Sequence, residues 1–305
     1  MTARHTSELD TLTTESADPR FAAIDRLDIA ELATLMNETD HDVPAAVRAA
    51  LPQIIPALEA AAERMQAGGR LIYVGAGTPG RIGVLDASEC PPTFSSPPEQ
   101  VFAIMAGGPA ALVDAVEGAE DDAEAGAAAI ESAAVGPLDT VIGIASSGRT
   151  PFVIGAVRQA RARGALGIGL SCNPGTQLSA VAEHGIEVVV GPEFISGSTR
   201  LKAGSAQKMV LNMFSTIVMV RLGKTYGNLM VDVHASNDKL RERAVRIVRT
   251  ITGASRQLAL DALEGSGYSV KVAAAMIGRG MDVATARRAL VAADGRLRAV
   301  LEEEH

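Results

Sequence analysis

Two short stretches of carboxylates and two glycine-hydroxyl loops hold most of the side chains that could do chemistry in this 305-residue chain. The first stretch is Asp86-Ala87-Ser88-Glu89-Cys90-Pro91-Pro92, and the second is Glu117-Gly118-Ala119-Glu120-Asp121-Asp122. A residue before proline is pushed out of the helical region, so the helix carrying Asp86 and Glu89 is expected to stop near Cys90. Glu89 would then stand at a helix C-terminus, where the macrodipole disfavours a charged carboxylate and suits a proton donor. The alternative is a pair of ordinary solvated surface acids. In the second stretch, spacing alone does not choose between Glu117 and Glu120. Such a cluster is also ordinary charge at a helix N-terminus.

The first loop, Gly75-Ala76-Gly77-Thr78-Pro79-Gly80, matches G-x-G-x-x-G behind an apolar run. A dinucleotide site also needs an acidic residue at the end of the next strand, for the ribose hydroxyls. That strand ends in Met105-Ala106-Gly107-Gly108, so the nicotinamide reading is set aside. The second loop is Ser146-Ser147-Gly148-Arg149-Thr150-Pro151. Its hydroxyls, its backbone N–H groups and the start of the next helix make a small anion site. Pro151 suits the first turn of that helix, where its missing N–H costs nothing. Simple helix capping would need only one hydroxyl. Several hydroxyls with a glycine, matched by a second Gly/Thr loop, favour a monophosphate ester, and no G-x-x-x-x-G-K-[ST] is present for a nucleotide triphosphate. Thr78, Ser146, Ser147, Gly148 and Thr150 are the expected phosphate contacts, with Gly77, Asn173, Ser198 and Lys202 as further candidates.

With such a ligand, proton transfer by carboxylates is the chemistry that the residues offer. His5, His41, His184, His234 and His305 are scattered and H-E-x-x-H is absent, so no zinc spacing exists. His234 is a further candidate for substrate contact. Cys90 and Cys172 read as structural thiols of a reducing compartment.

These groups need a frame. Apolar runs recur at LIYV (71–74), VFAIMA (101–106), TVIGIA (140–145), LGIGL (166–170) and IEVVV (186–190), with Ala-rich helical segments between them. Strands alternating with helices predict an α/β fold with a doubly wound, parallel five-stranded sheet. Right-handed crossovers put every strand-to-helix loop at one sheet edge, where ligands bind. Residues 44–67 read as helix interrupted near Pro52 and Pro56. Ser198 or Thr199 is placed to cap a long helix that ends near Gly223. From about Gly253, three short helices are expected around GSGY (265–268), GRGMD (278–282) and ADG (293–295). The expected division is an N-terminal extension (1–43), the α/β domain (44–250) and a C-terminal helical module (251–305).

Composition narrows the class further. The chain is 47% hydrophobic but only 3% aromatic, with no Trp, so packing falls to small aliphatic side chains. A net charge of −8 without a basic block argues against a nucleic-acid partner. The N-terminal stretch is polar and acidic, unlike a signal peptide. The most apolar run, Met209 to Val220, is 12 residues long and contains Asn212, Ser215 and Thr216, too short and polar to span a bilayer. A cytoplasmic protein with no membrane partner is expected.

At the level of whole motifs, GRLIYVGAGTPGRIGVLDASECPPTF, AVEGAEDD, GIASSGRTPFVIGA, SCNPG, SGSTRLKAGSAQKMVLNM and GKTYGNLMVDV together resemble the N-acetylmuramic acid 6-phosphate etherases. The likeness runs from about residue 14 through the tail. It implies a sugar isomerase (SIS) domain in a homodimer, with no metal or organic cofactor, acting on a small-molecule sugar phosphate in peptidoglycan recycling. It implies cleavage of the lactyl ether of N-acetylmuramic acid 6-phosphate. By position Glu89 matches the family's proton donor, and Glu120, not Glu117, its second catalytic glutamate. The tail resembles a ubiquitin-associated-type (UBA-like) three-helix module, read as packing or dimer support. One departure stands out: the family usually has Ser where this chain has Pro79, which removes a hydroxyl and an N–H from the first loop. A non-catalytic sugar-phosphate regulator and an aldose-ketose isomerase are the alternatives. The first does not need both acidic motifs, and the second does not explain the long etherase motifs.

Overall fold

Five segments, four of them on the apolar runs, form the strands of one sheet. They are β1 (Leu71–Gly75), β2 (Val101–Met105), β3 (Thr140–Ile144), β4 (Leu166–Ser171) and β5 (His184–Glu187). The computed structural model describes residues 12–114, 116–233, 235 and 237–302. All five strands are parallel, in the order β2-β1-β3-β4-β5. β1, β3 and β4 are buried throughout, whereas the edge strands β2 and β5 are buried only in part. β5 lies ahead of the IEVVV run because its partner β4 ends at Ser171, which pairs with Glu187.

The helices before and between the strands are α1 (Ile29–Asp40), α2 (Asp42–Ala49), α3 (Leu51–Gln66), α4 (Gly77–Phe94), α5 (Ala123–Ser132), α6 (Pro151–Ala162) and α7 (Gln177–Val181). α8 (Lys202–Arg221) follows the last strand. α5 and α6 cover the face that carries Ile72, Val74 and Val141, while α4 lies over Tyr73 and Ile144. The sheet is thus doubly wound, as expected. Proline positions refine the helix boundaries. The break before α3 falls at Ala50, with Pro52 in the first turn, and Pro56 is accepted inside the helix. α4 does not stop at Cys90 but runs through Pro91 and Pro92 to Phe94, so Glu89 is not at the helix end. Two prolines so near the terminus remove only donors to the last turns, and the Ser95 N–H still closes on the Pro91 carbonyl.

The contacts divide the chain into two units. One comprises the residues up to Ala87 together with Glu99–Phe214, and the other comprises Ser88–Pro98 with the chain from Ser215 onward. These units follow contacts, whereas the boundaries expected at 43/44 and 250/251 follow the sequence pattern. The segment before α2 belongs to the sheet unit: the Phe21 ring packs tilted against Phe194 with centroids 5.1 Å apart, and Thr13 and Thr14 bond to Asn173. In the second unit, α9 (Asp238–Thr252) buries Ala244, Val245, Ile247 and Val248 in one core with the helices after it, so the module starts well before 251. Those helices are α10 (Arg256–Ser266), α11 (Val270–Arg279), α12 (Val283–Ala292) and α13 (Leu297–Glu302), one more than expected from three separators. Asn237, Ser255, Ser269 and Asp282 cap α9 to α12 through side-chain oxygens. A short hairpin, β6 (Thr225–Tyr226) and β7 (Leu229–Met230), precedes them.

Candidate active site

β1 is flanked by β2 on one side and β3 on the other, so the sheet order reverses at the β1/β3 boundary. In such sheets the crevice beyond the strand ends at this boundary is where ligands sit. Both loops singled out in the sequence lie there: Gly75–Gly80 follows β1 and Ser146–Thr150 follows β3.

The second loop opens α6. Pro151 takes the first helical position, and Thr150 is the N-cap residue but makes no side-chain capping bond. The hydroxyls of Thr150 and Thr78 make no hydrogen bond among the described residues. Thr150 is therefore not a simple side-chain cap, which would engage its oxygen. Ser147 Oγ accepts from the Arg149 N–H at 3.3 Å, and Ser146 Oγ accepts from Gln207 Nε2 at 3.0 Å. Gly148 has φ +67°, and a Cβ there would lie 2.3 Å from Thr176 Cβ, so the turn admits only glycine. Thr176 is in turn held by Glu187, whose carboxylate accepts from the N–H groups of Thr176 and Gly175. Burial works against the charge on Glu187, but those N–H donors win and hold its carboxyl below the usual range.

Thr78 and Pro79 occupy the first turn of α4, and Gly77 stands exposed at its start with φ +55°. Pro79 lies where a helix N–H has no intrahelical partner, so the ring removes no ladder bond. Arg81, which the sequence reading passed over although it follows the glycine motif, donates to the carbonyls of Ala111 and Leu112. Gly77, Arg81, Met105, Asp114, Glu117 and Glu120 are among the residues around a cleft of about 210 Å³.

Glu120 is exposed in a short 3-10 turn, Ala119–Asp121, just before α5. α5 and α6 touch backbone to backbone: a Cβ on Gly126 would lie 2.0 Å from the Phe152 carbonyl oxygen, and one on Gly155 2.1 Å from that of Ala123. This close crossing sets the acidic turn beside α6. Asp122 takes the bland role, capping α5 through the Ala125 N–H. Glu117 and Glu120 line the cleft together, so geometry leaves their order open. Glu89 is exposed on α4, one turn beyond Asp86. Asp86 itself is buried, accepting from Tyr73 Oη at 2.6 Å and Asn212 Nδ2 at 2.5 Å. Neither Tyr73, Asp86 nor Asn212 was singled out as a group in the sequence.

Two of the further candidates are engaged within the fold. Asn173 is buried, with its amide engaged by Thr13, Thr14 and the Ser146 carbonyl, so it ties the N-terminal segment to the cradle. Lys202 is 2% exposed and donates Nζ to the Val190 carbonyl. Ser198 lies in a turn between Ile195 and Leu201, and α8 is capped not by it but by Glu193, which accepts from the N–H groups of Lys202 and Ala203. Burial pushes the Glu193 carboxyl up despite those donors. His234 lies outside the described residues. Among the described residues no group of three or more His, Cys, Asp and Glu could hold a metal ion, and no helix is long and apolar enough to cross a membrane.

The five-stranded parallel sheet with its covering helices is a SIS-type α/β fold. Residues 53–161 match the glucokinase regulatory protein N-terminal SIS domain, 122–217 the SIS domain, and 227–293 the C-terminal lid domain of glucokinase regulatory protein. A phosphoheptose isomerase structure from Francisella tularensis shares the fold with a TM-score of 0.50 at 19% identity, over 63% of this chain and 98% of that one. The chain is 58% identical to the N-acetylmuramic acid 6-phosphate etherase of Streptomyces avermitilis, covering 97% of this chain and 95% of the relative. It is 56% identical to that of Rubrobacter xylanophilus, covering 97% of each. The chain belongs to the N-acetylmuramic acid 6-phosphate etherase family.

Proposed function

We propose that this chain cleaves the D-lactyl ether of N-acetylmuramic acid 6-phosphate, giving N-acetylglucosamine 6-phosphate and D-lactate in amino-sugar recycling. It works in the cytoplasm as a homodimer, without metal or organic cofactor. The observation that carries this reading is the pair of threonine hydroxyls without partners among the described residues at the strand-order reversal, beside a cleft lined by Glu120. The 6-phosphate takes the Ser146–Thr150 loop, with Thr78 opposite.

The sugar ring opens to the aldehyde, whose carbonyl acidifies the proton on carbon 2. The Glu120 carboxylate takes that proton as the carbon 3–oxygen bond breaks. Glu89, as the carboxylic acid, protonates the departing oxygen, because lactate leaves poorly as an alkoxide. Water then adds to carbon 3 of the unsaturated aldehyde, giving its proton to Glu89, and carbon 2 recovers a proton from Glu120. Each glutamate ends in its starting state.

The test is direct. Purified protein incubated with the sugar phosphate should release D-lactate, and a chelator should not stop it. Folded protein that binds the sugar phosphate but yields no lactate at high enzyme concentration contradicts the assignment.

A further inference from the structure

Gln207 stands on α8, fully buried, and reaches the root of the phosphate loop. Its Nε2 donates to Ser146 Oγ at 3.0 Å and faces Cys172 Sγ at 3.9 Å. Cys172 turns its one proton toward the Ala203 carbonyl at 3.8 Å, so the sulfur facing Gln207 can only accept. Burial, helped by the nearby Glu193 charge, pushes the Cys172 thiol far up, so it keeps that proton. These contacts orient the amide with its N–H groups toward the sulfur and Ser146. Gln207 Oε1 is left buried with no partner among the described residues. Leaving an acceptor unpaired in the interior is a cost that buried amides normally avoid.

That cost coincides with a gain at Ser146. A serine hydroxyl has a single proton, and an oxygen that accepts from Gln207 must direct its proton elsewhere. No described residue accepts the Ser146 proton. The residue cannot easily turn away, since its carbonyl accepts from the Asn173 amide at 2.9 Å and the Cys172 N–H at 3.0 Å. We propose that Gln207 is a positioning residue of the cradle: its amide commits the Ser146 hydroxyl to donate, so that this proton is delivered to the phosphate of the bound sugar. This rests on the reading of the Ser146–Thr150 loop as the phosphate site.

The discriminating variant is Gln207→Glu. Protonated, the introduced carboxyl still donates to Ser146. Ionised, it accepts the Ser146 proton and places a negative charge by the phosphate. Affinity for N-acetylmuramic acid 6-phosphate, and inhibition by inorganic phosphate, are measured from pH 5 to 9 as ratios to the unsubstituted protein, which removes the phosphate's own titration. The ratio should fall at least about tenfold as pH rises through one ionisation, the size of losing one hydrogen bond to a charged group. The loss should appear in KM more than in kcat. Gln207→Leu, which also removes the unpaired Oε1, should keep the melting temperature and show a similar, pH-independent loss. Ser147→Ala is the reference arm. If Ser147→Ala weakens phosphate while both Gln207 variants bind normally, the positioning role is wrong and the cradle stands. If Ser147→Ala leaves phosphate affinity unchanged, the cradle reading falls and takes this inference with it.

Discussion

At the amino edge of the sheet, Arg70 and Asp139 precede β1 and β3 and satisfy each other. The Asp139 carboxylate accepts from Arg70 Nε at 3.0 Å and Nη2 at 2.6 Å, from the Arg70 backbone N–H and from the Gly136 N–H. The rest of the guanidinium reaches the carbonyls of Ala133 and Ala134. At the carboxyl edge of the same two strands, the hydroxyls of Thr78 and Thr150, the Ser146 proton and Gln207 Oε1 find no partner among the described residues. The amino end of this strand pair therefore carries the paired Arg70–Asp139 network, although Thr140 Oγ1 beside it is buried without a partner among the described residues, and the carboxyl end carries the larger set of unpaired polar groups. Closed networks hold a fold together. An open one at a helix N-terminus is a place for a ligand.

Carboxylate variants should strain this contrast most. General acid or base catalysis contributes roughly 10²–10⁴-fold, so Glu89→Ala and Glu120→Ala should each lower lactate release by about that factor while leaving the melting temperature nearly unchanged. In heavy water, Glu89→Ala should still exchange the carbon-2 hydrogen, and Glu120→Ala should not. Exchange lost with Glu89 and kept with Glu120 would reverse the two roles. Glu117→Ala should change little.

The amino edge should answer in stability instead. Asp139→Ala should cost about 3 kcal/mol in denaturant unfolding, the low end for breaking a buried pair, because Arg70 stays partly in water. Turnover per folded molecule should hold. Burial alone would raise the Asp139 carboxyl, but the Arg70 and Gly136 donors hold it below the usual range. A depressed carboxyl stabilises the fold above its unfolded pKa and loses that contribution as pH falls through its folded one. The stability gap between Asp139→Asn and the unsubstituted protein should therefore narrow as pH drops below about 4. A gap that stays constant into acid would show that the pair is not what stabilises this edge.

Pro79→Ser should have the smallest effect. The ring removes no helix bond in the first turn of α4, so restoring the hydroxyl should tighten substrate binding or leave it alone. A marked loss of activity would mean that Pro79 sets its own loop path.

Strands and loops were legible because apolar runs and glycine-hydroxyl punctuation are local properties of the chain. Four of the five strands fall on the apolar runs, and both loops lie where sheet topology requires. What sequence could not show was how polar atoms far apart in the chain pair off. Asn173 and Lys202 look like surface ligands until burial shows their partners, and Gln207 looks like any helix polar residue until Ser146 lies against it. The extent of α4 was misjudged because the rule for residues before proline disfavours the helical region without forbidding it. Net charge also hides local grouping: Lys239, Arg243, Arg246 and Arg249 of α9 line one hollow together with Glu242 and Arg256, which pair with each other.

The contrast between the two edges is tested most directly by the double variant Ser147→Ala with Thr150→Ala. Its kcat/KM is compared for N-acetylmuramic acid 6-phosphate and for the same sugar without phosphate. Each hydrogen bond to a charged group contributes about 1.5–3 kcal/mol, so the double variant should lose about 3–6 kcal/mol of preference for the phosphorylated sugar. Its melting temperature should stay close to that of the unsubstituted protein. Equal losses for both sugars, or a collapse in stability with the preference intact, would mean that these hydroxyls hold the fold and that the phosphate binds elsewhere.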